Sequence, residues 1–136
     1  MFDAVVNYWA VLVAALASIV VGSVWYSSGV FGKSWAEISK VDMSDMSNPS
    51  AKNGMIVMAI STLVTAYVLV QVLSFTAAFS IAEGATVAFW LWLGFVATVM
   101  LTRNTFAQQP TKLFYIDAFY QLVSLVVMAS ILVSWQ

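Results

Sequence analysis

Asp117 is the one acidic side chain well inside an apolar segment of this 136-residue chain, and it has the most chemical potential. It lies seven residues past Pro110, ~10 Å along a helix. Tyr120 stands beside it, and Gln121 and Ser124 follow at i+4 and i+7, so a helix there presents one polar stripe. The stripe must face protein or water, because a carboxylate turned to lipid costs about 3 kcal/mol on insertion scales. Two uses follow. Asp117 pairs with Arg103 and fixes the register of a hairpin, or Asp117, Gln121, Tyr120 and Arg103 line a path for a proton, an ion or a small solute, with Lys33 a further candidate. Enzyme chemistry is the weakest reading, since a lone carboxylate without a partner base makes a poor catalytic constellation.

Other chemistries are excluded by residue type. There is no histidine and no cysteine, so imidazole bases, thiolates, disulfides and the usual zinc sites are absent. No phosphate-binding glycine loop or nucleophile motif occurs. Asp42 and Asp45 lie three apart in a polar stretch without the oxygen ligands or glycine of a calcium loop, and read as solvated charges. Glu83 closes an S-x-x-E pattern from Ser80 and reads as a helix cap rather than a buried proton site. No catalytic, cofactor-binding or metal-ligating residue is assigned. A net charge of -1 offers no basic surface for nucleic acid.

The elements that must position Asp117 are membrane helices. Of the residues, 62% are hydrophobic and 8% charged, with a mean hydropathy of +0.94, whereas an average soluble domain carries about 25% charged residues. At ~20 residues per span, the chain holds about four spans and no separate soluble domain. The expected fold is an all-α integral membrane protein: a four-helix transmembrane bundle with a short interfacial amphipathic helix. The spans are Tyr8 to Tyr26, Gly54 to Phe75, Gly84 to Thr102 and Leu113 to Trp135. MFDAVVNYW lacks the basic stretch of a signal peptide, so the first span is expected to stay in the protein.

Within span one, Ala10, Ala14, Ser18 and Gly22 form a row of small side chains that suits close helix packing, either within the chain or between subunits. Tyr8-Trp9 and Trp25-Tyr26 read as interface anchors. Next comes a turn through Ser27, Ser28, Gly29 and Gly32, then a segment in which Ser34 as N-cap and Glu37 form a capping box. Phe31, Trp35 and Ile38 fall on one face and Lys33, Glu37 and Lys40 on another, which suits a helix lying in the headgroups. Asn48-Pro49 predicts a helix start ahead of the apolar part of span two. In span three, the aromatic run FWLWLGF suits lipid contact or the interface belt, and Gly94, Thr98 and Thr102 suit a helix contact.

Charge orients the bundle. Lys33, Lys40, Lys52, Arg103 and Lys112, every basic side chain present, fall in the loops after spans one and three. The positive-inside rule puts that side in the cytoplasm and both termini outside the cell membrane.

GSVWYSSGVFGKSW at residues 22 to 35, LWLGFVATV in span three and the polar last helix ending in MASILVSW resemble the bacterial membrane-protein family called domain of unknown function 1761. The most specific part is Trp25-Tyr26-Ser27 followed by Phe31-Gly32-Lys33 and Trp35; where the family pattern commonly has proline after the triplet, this chain has Ser28, which implies a less rigid turn. The resemblance implies a small multi-span membrane protein and brings no catalytic residue and no cofactor. The expected function is a homo-oligomeric channel or carrier for a proton, ion or small solute. The alternative is a non-transporting module that binds membrane lipid or a partner membrane protein through the amphipathic segment and the small-residue row.

Overall fold

The structure, a computed structural model, describes residues 6–27, 29–39 and 49–135. Asp3, Ser28, Lys40, the Asp42 and Asp45 pair and the Asn48 cap lie outside the described residues. Four helices are long and apolar enough to cross a membrane: Tyr8–Trp25, Ala51–Phe75, Ile81–Phe106 and Thr111–Ser134. In chain order the elements are α1 (Tyr8–Trp25), α2 (Gly32–Ser39), α3 (Pro49–Phe75), α4 (Ile81–Leu91), a π-helical turn (Trp92–Ala97), α5 (Thr98–Phe106) and α6 (Thr111–Ser134). The third span is thus α4, the π turn and α5 in continuous succession.

Local sequence sets most of the ends. The Asn7 side chain accepts from the amides of Trp9 and Ala10 and starts α1. Pro49, which has no N–H to leave unpaired, opens α3. Ser80 accepts from the Glu83 amide, while the Glu83 carboxylate accepts from the Phe79 amide, so this pair caps α4. Glu83 therefore serves as a cap. The other S-x-x-E pattern does not form one: α2 begins at Gly32, with the Trp35 amide bonded to the Phe31 carbonyl, and Ser34 sits inside the helix. The turn before α2 overrides the capping signal by starting the helix earlier.

Two other ends are closed without glycine. After α3, the Ala78 amide bonds to the Leu73 carbonyl and the Ala77 amide to that of Ser74, with Ala77 at φ 56°. Gln108, also at φ 56°, ends α5 in the same way, with bonds from Gln109 to Asn104 and from Gln108 to Thr105. These are Schellman closures with a side chain in the left-handed region, where glycine is usual.

α6 is the centre of the bundle. Its most apolar stretch is 44% buried, against 28, 28 and 22% for the first three spans. α1 and α4 pack along it, and α3 packs mainly against α1. The row Ala10, Ala14 and Ser18 is buried inside the chain, and a Cβ on Gly22 would lie 3.0 Å from the Tyr120 hydroxyl, so the row brings α1 close to α6.

On the third span the buried positions run Gly84, Ala88, Trp92 and then Ala97. The spacing changes from four to five at the π turn, which adds a residue and rotates everything after it. Gly94, Thr98 and Thr102 are consequently exposed, not in a helix contact. Trp92, read as lipid-facing, is buried at 8% exposure.

Replacing Ala77 or Gln108 with glycine removes a left-handed side chain at the cost of some chain entropy. Each substitution is expected to raise stability by up to about 1 kcal/mol. The two lie in different connections, so the gains should add in thermal unfolding in detergent. Loss of stability in either variant would contradict this account.

Candidate functional site

The site is built by the turn between α1 and α2. The Phe31 amide reaches back to the Trp25 carbonyl and the Gly32 amide to the Ser27 carbonyl. Gly32 is required there, because a Cβ would collide with the backbone carbonyl of Tyr26. This fold-back places the rings of Trp25 and Phe31 4.9 Å apart and sets Trp35 edge-on to Tyr26 at 5.9 Å. α2 then packs against α6. Phe31, Trp35 and Ile38 are half-buried, while Lys33 and Glu37 are exposed. The apolar face of α2 is therefore partly spent on the protein itself.

Three aromatic donors meet consecutive residues of α6. The Trp25 indole N–H donates to the Ile116 carbonyl at 3.0 Å, the Tyr26 hydroxyl to the Asp117 carboxylate at 2.5 Å, and the Trp92 indole N–H to the Ala118 carbonyl at 2.7 Å. Two come from the end of α1 and the third from the π turn. Helical carbonyls keep a second lone pair, so Ile116 and Ala118 accept these bonds without breaking the helix. A buried indole or phenol needs such a partner, and α6 supplies one to each.

A polar seam continues from this point between α1 and α6. The Tyr26 and Tyr120 rings meet edge to face at 5.4 Å. The Tyr120 hydroxyl donates to the Ser18 carbonyl at 3.2 Å and lies 3.5 Å from the Ser18 hydroxyl. Ser18 and Ser124, both buried, share a hydroxyl hydrogen bond of 2.5 Å.

The structure brings Asp117, Tyr120, Tyr26, Trp25, Trp35, Phe31, Ser18 and Gly22 to this seam. Arg103 is exposed and attracts Asp117 only at longer range, so the direct partner of the carboxylate is Tyr26 rather than Arg103. Gln121 is half-buried and makes no hydrogen bond among the described residues. Lys33 is exposed. Sequence reasoning missed Trp92 as part of the site, and it placed Gly32 in the turn without its steric reason. Gly84, Ala88 and Trp92 at four-residue spacing were the signal for the first.

Residues 9–133 match the family model described as "Protein of unknown function (DUF1761)". The chain belongs to this family. The match takes in all four spans and the whole seam from Ser18 to Ser124. Neither the curated proteins nor the solved structures contain a match.

The Tyr26 and Asp117 pair should dominate the local energetics. Tyr26→Phe removes the hydroxyl donor of a partly buried carboxylate and should cost about 1–3 kcal/mol. In a double-mutant cycle by thermal unfolding in detergent, Tyr26→Phe with Asp117→Asn should cost clearly less than the two singles added. Arg103→Gln with Asp117→Asn should be additive within about 0.5 kcal/mol. Strong coupling to Arg103 and none to Tyr26 would reverse the assignment.

Proposed function

We propose that the protein is a homo-oligomeric channel or carrier in the cell membrane that moves protons, alone or coupled to a small solute. Asp117 is the protonatable group. The observation that carries this reading is the seam itself: Asp117 on Tyr26, then Tyr120, Ser18 and Ser124, an intramembrane carboxylate continued by hydroxyls. Intramembrane ionisable residues commonly mark ion and proton pathways. A hydroxyl accepts one proton while releasing another, which suits protons over a bulky ion; the step from Tyr26 to Tyr120 is a ring contact rather than a hydrogen bond, so transfer there needs a side-chain rotation or an intervening water. One carboxylate also suits a proton better than calcium, which takes 6–8 oxygen ligands. From Asp117 to Ser124 the seam spans seven residues of α6, ~10 Å.

The second reading is a non-transporting membrane module that binds lipid or a partner membrane protein. Its support is that Asp117 is held by side chains of its own chain, as a structural staple would be. Flux separates the two. In proteoliposomes with an imposed pH gradient, wild-type protein should dissipate the gradient. Asp117→Asn should remove at least 90% of that flux with the helical circular dichroism unchanged. Native mass spectrometry of the same preparation should show an oligomer. A gradient held equally well by wild-type and empty vesicles would defeat the transport reading, and a monomer in every mild detergent would defeat the assembly.

The orientation that goes with this proposal has both termini outside and the Asp117 end of the seam at the cytoplasmic side. Its support is the placement of Lys33, Lys52, Arg103 and Lys112 in or beside the connections after spans one and three. The chain has no cysteine, so single introduced thiols report cleanly. In intact cells, Gln136→Cys should react with an impermeant maleimide and Ser47→Cys should not. The opposite pattern would invert the topology.

A further inference from the structure

The seam consists of two facing ladders with one unequal rung. On α1, Ser18, Gly22 and Tyr26 follow at four-residue spacing, Tyr26 being the residue that closes the helix. On α6, Ser124, Tyr120 and Asp117 share one face at spacings of four and three. Both end rungs are hydrogen bonds of 2.5 Å, Ser18 with Ser124 and Tyr26 with Asp117. At the middle level Tyr120 faces a glycine, and its phenol takes up the room that a side chain at position 22 would need. A Cβ on Gly22 would lie 3.0 Å from the Tyr120 hydroxyl and 3.3 Å from its ring.

Tyr120 is held more loosely than the two end rungs. Its hydroxyl is 3.2 Å from the Ser18 carbonyl and 3.5 Å from the Ser18 hydroxyl, both beyond the usual ~2.5–3.0 Å of a hydroxyl hydrogen bond. Its contact with Tyr26 is ring edge against ring face at 5.4 Å, and the Trp25 ring lies further off at 6.4 Å. The residue is half-buried, so the ring has an open side to turn into. Exchange between staggered rotamers moves the ring without moving either helix.

Turning the ring out leaves a space beside Gly22, bounded by the Ser18 hydroxyl and carbonyl at one end and by Tyr26 and Asp117 at the other. Water enters a site of this kind, because it is polar and offers several hydrogen-bond partners. We infer that Tyr120 is a gate that admits water between Asp117 and the Ser18 and Ser124 pair, with Gly22 keeping the room that the water occupies. The gate rests on the proton path for its purpose: water spans the step at which Tyr26 and Tyr120 meet only ring to ring. With the ring out, the protonated Asp117 carboxyl gives its proton to a water, and that water passes another to Ser18 Oγ. Ser18 passes its own to Ser124 Oγ, and Ser124 releases one to water beyond it. Asp117 ends as the carboxylate, and each oxygen between ends as it began. With the ring in place, the file is broken at Gly22.

A gate and a relaying hydroxyl make opposite forecasts for Tyr120. In the pH-gradient vesicles, Tyr120→Phe keeps the ring and loses both contacts to Ser18, and should raise flux at least twofold over wild type. Tyr120→Ala should raise it at least fivefold, and Asp117→Asn should remove the flux of both. If wild-type protein carries flux and Tyr120→Phe lowers it or leaves it level, the gate is overturned. A second measurement does not depend on transport. Ser18→Cys puts a single thiol behind the ring in a chain that has no other. Its rate of reaction with 2-aminoethyl methanethiosulfonate in mild detergent reads access from water. Tyr120→Phe in that background should react at least threefold faster, and Tyr120→Ala at least tenfold. Phenylalanine leaves the ring volume filled, so an unchanged rate in Tyr120→Phe overturns the gate even where the vesicles show flux. Faster labelling, with a gradient held equally by wild-type and empty vesicles, supports the gate and defeats only the transport reading.

Discussion

A carboxylate inside a membrane helix must be satisfied by its own protein, and the arrangement of this chain around Asp117 follows from that constraint. Leaving it to lipid costs about 3 kcal/mol or more, a large fraction of the stability of a small protein. The hydroxyl of Tyr26 meets the charge, and Trp25 and Trp92 take the carbonyls on either side of it. Those three donors come from two different spans. Satisfying one short stretch of α6 therefore also fixes the end of α1 and the middle of the third span against it. Between membrane helices there is little hydrophobic driving force, so such bonds and close packing of small residues carry the association.

The small residues and the aromatic donors work as one system. Gly22 leaves room for the Tyr120 ring, Ser18 bonds to Ser124, and Gly32 permits the fold-back that lays Trp35 over Tyr26. On the opposite flank a Cβ on Gly84 would lie 3.1 Å from Val133, so α4 approaches α6 as closely as α1 does. Enlarging any of these positions would lengthen the reach that Tyr26 or Trp92 must span.

The spans, the caps at Glu83 and Pro49, and the need for Asp117 to face inward were legible because each rests on local composition or spacing. The partner of Asp117 was not. Arg103 has the opposite charge, but its long side chain reaches the water level at little cost, whereas a neutral phenol 91 positions away is cheaper to bury. Only the three-dimensional neighbourhood reveals that exchange. The third span was misread for a different reason: Gly94, Thr98 and Thr102 keep perfect four-residue spacing, yet the π turn rotates them outward, and no simple period records a π turn. The Ser34 cap failed because the turn closed by the Phe31 and Gly32 amides starts α2 before Ser34 is reached.

The hydroxyls sort into two classes, and the sorting separates lipid surface from interior. Thr65, Thr86, Thr98, Thr102 and Thr105 are exposed, and each donates to the carbonyl four residues earlier in its own helix. A hydroxyl satisfied in this way can face acyl chains without an unpaired donor. Ser18, Ser124, Tyr26 and Tyr120 instead bond or approach partners on another helix, and all of them lie on the α1 and α6 seam. Two of the buried polar side chains among the described residues, Ser18 and Ser124, lie on this line, and Gln71 on α3 is buried apart from it. Gly84 and Ala88 by contrast bring α4 against α6 with no comparable hydroxyl seam among the described residues.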